Sequence, residues 1–225
     1  MAHEHIVGAV ERSIEKLCKE FRARPTLFYT EDDIASFFYN LLQHHLSMAK
    51  AHDRDGSEHL LVHREYPAPF RYDLSKGQFA IKEDDERTAD GHPYPRGLYA
   101  VVVLNPDFIA QYSYELITAQ DYGLFKKLVL PHLDKAQPAI LYGVAFMLRR
   151  DPFPLLQEDK GREVIDGFIA EVNKKVDHLT AGQAVAGFMD NVKMLTFLKG
   201  GADQVRTFLF KKLTERSEVL VCFSY

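Results

Sequence analysis

The 225-residue chain carries two cysteines, Cys18 and Cys222. Two are too few for a disulfide framework or a cysteine zinc site, and both read as buried small apolar residues. Its uncharged runs fall far short of the roughly 20 apolar residues of a membrane helix, so no membrane association is expected. The opening stretch (AHEHIVGAVERSIEKL) is charged and amphipathic and lacks the basic-apolar-small order of a secretory leader, which makes a cytoplasmic protein the default expectation. An excess of basic charge is missing too. The net charge is −4, so no global field draws the chain to nucleic acid or acidic lipid. GxxxxGK[ST], GxGxxG, GxSxG, HExxH and CxxC are all absent, which removes the best-marked nucleotide, hydrolase, metalloprotease and redox classes.

What is present suffices for one sizeable core, because 46% of residues are hydrophobic. Residues 3–22 predict a helix with one stripe, Val7, Val10, Ile14, Leu17, Cys18 and Phe21, ended by Arg24-Pro25. Its near-heptad spacing allows a homodimer helix, but packing on its own domain is the favoured reading. Thr30 caps a second helix, with Glu31, Asp32 and Asp33 in the first turn and Ile34, Phe37, Phe38, Leu41, Leu42 and Leu46 on a wide apolar face. His52–Glu58 reads as a polar turn and Leu60–Tyr66 as a strand ended or edged by Pro67 and Pro69. Residues 74–96 read as a solvated loop insertion.

Leu98–Leu104 (LYAVVVL) and Ala139–Leu148 (AILYGVAFML) contain no charge and predict two central strands buried on both faces. Helical segments are expected from Asp107, over 122–133, at Val164–Leu179, at Val185–Leu195 closed by Gly200-Gly201, and over 203–214. Glu218–Phe223 reads as a final strand. The order predicts an α/β fold with a mixed central sheet flanked by helices, organised as an N-terminal helix (1–24) and one domain (25–225).

Candidate chemistry is sparse. The ten histidines, including His44, His45, His52, His59 and His63, read as scattered surface groups and no metal site is assigned. Lys174, Lys175 and Lys193 sit near other basic residues in sequence and are the candidate phosphate contacts, although such lysines are commonly solvated helix faces.

Several segments resemble the PD-(D/E)xK nucleases, whose fold is restriction-endonuclease-like. Thr30-Glu31-Asp32-Asp33-Ile34 resembles their opening helix, which often carries a glutamate, and His63-Arg64-Glu65-Tyr66-Pro67 the strand after it. Arg96 to Pro106 (RGLYAVVVLNP) resembles the strand that normally begins with the catalytic aspartate. Gly143 to Leu148 (GVAFML) resembles the strand that bears the E-x-K pair, Asp190 to Leu195 (DNVKML) the helix that often follows, and Val219 to Phe223 the closing strand. In active members the acids hold a divalent cation and the lysine positions or activates water. In this sequence the aspartate position is Ala100, the glutamate position Ala145 and the lysine position Met147. None of the three can ligate magnesium or carry a proton.

The resemblance therefore implies a catalytically inactive nuclease-like protein that binds a protein partner, or binds nucleic acid weakly, without a cofactor. The alternative is a nuclease with relocated acids, for which Glu31, Glu65, Asp73 and Asp107 are the candidates and Mg²⁺ the cofactor.

Overall fold

The computed structural model describes residues 3–73, 80–83, 85–94, 96–118, 122–156 and 160–224. Two helices open the chain, α1 (Glu4–Ala23) and α2 (Glu31–His45), separated by a 3-10 turn at Pro25–Leu27. A small hairpin follows, β1 (Lys50–His52) with β2 (Glu58–Leu60), and then β3 (Val62–Asp73), β4 (Ala80–Lys82) and β5 (Arg96–Leu104). Short helices α3 (Pro106–Gln111), α4 (Tyr114–Ile117) and α5 (Tyr122–Leu128) lead to β6 (Ile140–Arg149). The chain closes with α6 (Gly161–Ala184), β7 (Met189–Lys199), α7 (Asp203–Leu213) and β8 (Val219–Ser224).

Among the described residues the main sheet has six strands in the order β4-β3-β5-β6-β7-β8. The pairs from β4 to β6 are antiparallel, and β6-β7-β8 are parallel. Alternation along β6 sorts the two faces. Phe146 meets Phe38 of α2 and Tyr142 donates to Glu11 of α1, whereas Gly143 faces Met189 of β7 and Leu179 of α6. A mixed α/β sheet flanked by helices is thus the architecture, as the order of segments predicts.

The α1 stripe is spent inside the fold. Val10, Leu17 and Phe21 are fully buried, packed where α1 meets α2 and β8. At 25 cal/mol per Å², each such side chain contributes roughly 1.5–3 kcal/mol of transfer free energy. Thr30 makes the expected cap, strengthened by a reciprocal bond that the Thr30 backbone N–H donates to the Asp33 carboxylate.

Four expectations are corrected. Residues 189–199 form β7 and not the helix predicted over 185–195, so Asp190 to Leu195 lies on a strand. Met194 to Leu198 are consecutively buried between two parallel neighbours, a pattern only an interior strand satisfies. Secondly, β3 runs through Pro67 and Pro69 to Asp73. The register slips between Pro67 and Arg71, which is where a ladder tolerates proline. Thirdly, the 74–96 insertion contains β4, which pairs with the end of β3, while 74–79, 84 and 95 lie outside the described residues. Finally, Cys18 and Cys222 are buried but joined, as a disulfide from α1 to β8 with Cα atoms 6.1 Å apart. Among the described residues no helix is long and apolar enough to cross a membrane.

Candidate functional site in the fork between β5 and β6

The β5–β6 ladder stops at Val101↔Val144. From there β5 continues to Arg96 beside β3, while β6 continues to Arg149 beside β7. The two central strands therefore part. On the side that faced β5, backbone groups of β6 beyond Val144 have no partner strand and must be satisfied by something else.

The strand beside β5 carries one unusual backbone angle. Glu65 on β3 has φ +51°, left-handed backbone that a non-glycine residue adopts at a cost of about 1 kcal/mol or more. It sits between the pairs Arg64↔Val101 and Tyr66↔Tyr99. Arg64 reaches Ser36 on α2, whereas Tyr66 Oη donates to the Ile117 carbonyl.

Two side chains take up the strand groups exposed in the fork. Glu31, in the first turn of α2, accepts from Leu148 N–H at 3.3 Å through Oε1. Its Oε2 accepts from Lys175 Nζ at 2.7 Å. The same ammonium donates to the Phe146 carbonyl at 3.1 Å. Lys175 projects from α6, so the bridge joins α2, β6 and α6 at one point. Both side chains stay partly exposed, 33% for Lys175 and 41% for Glu31, which keeps the pair's contribution to stability near the 0–1 kcal/mol of surface ion pairs.

A cavity of about 350 Å³ occupies the fork. Ala100 and Ala145 line it together with Glu31 and Lys175. Two of the three positions at which the nuclease resemblance places catalytic groups therefore meet in one cavity with Glu31. The third, Met147, is buried and is not among the lining residues. Asp32 lies at the mouth, 3.5 Å from Arg64.

Tyr72 and Tyr99 are among the lining residues. Tyr72 Oη lies 2.5 Å from His178 Nδ1. Burial pushes the Tyr72 phenol up to about 12, so it stays protonated at neutral pH. Burial, and then the nearby Lys174 charge, hold His178 below its ordinary value and favour the neutral ring. Tyr99 is 2% exposed, burial pushes its phenol upward too, and its hydroxyl has no hydrogen-bond partner among the described residues. Glycines make room for both hydroxyls. A Cβ on Gly97 would stand 2.7 Å from Tyr72 Oη, and one on Gly182 2.8 Å from Tyr99 Oη.

The relocated-acid candidates do not converge. Glu65 is exposed on β3 and Asp107 pairs with His3 at 3.1 Å. Asp73 lines a neighbouring cavity of about 630 Å³ with Tyr72, Lys174 and His178. Of these four, only Glu31 stands in the fork. Nor do the candidate phosphate lysines share a patch. Lys175 is bound to Glu31, Lys174 lines the second cavity, and Lys193 donates to the Ser217 carbonyl. His59 is no solvated group, because it is buried against Asp53 at 2.9 Å. Among the described residues no three His, Cys, Asp or Glu side chains are grouped as cation ligands require.

The donor set in the fork does not fit a divalent cation. Of its two carboxylates, Glu31 is shared between a main-chain N–H and an ammonium and Asp32 lies 3.5 Å from Arg64, while Ala100 and Ala145 offer only methyl groups. Magnesium demands several hard oxygens in near-octahedral order. Sequence reasoning names Glu31, and Lys175 as a candidate phosphate contact, but not Tyr72, Tyr99, Arg96 or His178. The i, i+3, i+4, i+7 spacing of Lys175, His178, Leu179 and Gly182 on one helix was the available signal. No protein-family model, curated protein or solved structure matches the chain.

Proposed function

We propose that this protein has a restriction-endonuclease-like fold of the PD-(D/E)xK type and works by binding, without the metal-dependent cleavage of active members. One observation carries the reading. The Lys175 ammonium sits between the Glu31 carboxylate and the Phe146 carbonyl, two oxygens that a cation in the fork would use. A built-in cation there removes the need for an external one and cannot generate a metal hydroxide. Ala100 and Ala145 supply no replacement ligand. The partner is a protein or a nucleic acid held weakly, in keeping with the acidic net charge.

Plasmid nicking by pure protein in Mg²⁺ and Mn²⁺, read beside fluorescence anisotropy of a labelled duplex, tests this. The proposal expects no nicking, and anisotropy that is unchanged by a chelator. Nicking that depends on metal and disappears in Glu31→Ala would overturn it in favour of relocated acids.

A further inference from the structure

The main sheet ends at β8 with an open edge. Met194 N–H donates to the Glu218 carbonyl, which sets the phase of the parallel ladder. Backbone groups of Leu220, Cys222 and Ser224 therefore turn toward β7, and those of Val219, Val221 and Phe223 turn outward. The Arg216 carbonyl takes the Val219 N–H. The other outward groups have no partner among the described residues. Edge strands are commonly blunted by charge, proline, a bulge or shortness. Val219–Ser224 is uncharged, free of proline, six residues long and regular in register. The disulfide to α1 already holds the strand in place, so pairing orders little chain.

Apolar groups stand open on both sides of this edge. Leu220, on the same face as Cys222 and α1, is partly exposed, and so is Phe223 on the face of α7. Phe210 of α7 is 52% exposed and lines a groove with Arg206 and Phe223. We propose that β8 pairs antiparallel with β8 of a second copy of this chain, about a two-fold axis at Val221. The two Val221 residues then exchange both main-chain bonds, and each Phe223 N–H reaches the Val219 carbonyl of the other copy. Helix α7 and strand β8 have similar lengths, about 16–20 Å, and run side by side, which puts Phe210 near the level of Val221. Phe210 thus stands close to the axis and meets its own copy.

Self-pairing is what this edge fits. An uncharged strand opposes no like charges when it meets itself, and an isologous contact closes as a dimer. Charge on the flanking helix agrees. Across the axis the two α7 helices run antiparallel, so the acidic start at Asp203 faces the last turn of the other copy, which carries Lys211, and the helix dipoles oppose. The other edge of the sheet does not match, because β4 has only three residues.

Sedimentation of the full chain from about 1 to 100 μM, with hydrogen exchange at both ends of that range, tests the pairing. The dimer should predominate at the upper end, and exchange of the Val221 and Phe223 amides should slow as concentration rises. Phe210→Glu sets like charges beside each other on an exposed side chain, and should weaken the dimer at least about tenfold with the circular dichroism spectrum unchanged. Val221→Pro removes the central outward N–H, which one copy does not use, and should do the same. It alters a buried side chain, so Phe210→Glu decides if this variant does not fold. A monomer throughout the range would overturn the inference. So would a dimer whose two amides exchange at the same rate at every concentration, a Phe210→Glu dimer as tight as wild type, or assemblies larger than the dimer.

Discussion

The Cys18–Cys222 disulfide should supply a large share of the stability of this fold. It closes a loop spanning 204 positions, nearly the whole chain, and fixes α1 to the edge strand β8. In the chain-entropy description the constraint on the unfolded state grows with the logarithm of loop length, and for this loop it amounts to about 5 kcal/mol. Net stabilities of domains are about 5–15 kcal/mol, so the bond decides much of the margin. Both cysteines are buried, which means that a reductant acts through the unfolded chain. The assay is urea unfolding of oxidised protein and of protein reduced in denaturant and refolded in reductant, with intact mass to count the two hydrogens. At an m-value of about 2.5 kcal/mol/M, the midpoint should fall by about 2 M on reduction. Two titratable thiols in unreduced protein, or a midpoint that does not move, would refute the reasoning. The bond is at odds with the cytoplasmic default, because cytosolic thiols are kept reduced.

Three further outcomes follow from local geometry. Gly187→Ala should cost at least about 2 kcal/mol in chemical denaturation, because φ is +74° and a Cβ would stand 2.7 Å from the Asp134 backbone nitrogen. Glu65→Gly should leave stability unchanged or raise it by up to about 1 kcal/mol, because glycine relieves the left-handed backbone at φ +51°, and a clear loss would contradict the strain. The hydrogen bond from His59, followed by N–H bonds from Ser57 and Asp55, holds the Asp53 carboxyl below its ordinary value. A depressed carboxyl contributes stability above its unfolded value, near pH 4, that is lost as pH falls through the lower folded value. Asp53→Asn should therefore flatten the acid limb of a stability-versus-pH curve, and an unchanged limb would assign that limb to other groups.

Elements whose burial pattern is local were legible in the sequence. The α1 stripe, the Thr30 cap and the uncharged β5 and β6 runs each carry their periodicity within a few residues. β7 was not legible, because its first half mixes Asp190, Asn191 and Lys193 with Met189 and Val192 at helical spacing. Only burial from both sides, by β6 and β8, makes it a strand. The disulfide and the Glu31–Lys175 bridge join residues 204 and 144 positions apart, and no local pattern announces such pairs. For the same reason Ala100 and Ala145 could be called substituted from the resemblance, while their meeting in one cavity needed the fork.

Calorimetric titration of Mn²⁺ into wild-type protein, Glu31→Ala and Lys175→Met addresses the central claim most directly. With Lys175 as the resident cation, the wild type should give no binding heat up to about 10 mM, and Glu31→Ala should look the same. Stoichiometric binding by the wild type that vanishes in Glu31→Ala would contradict the account and return the fork to metal chemistry.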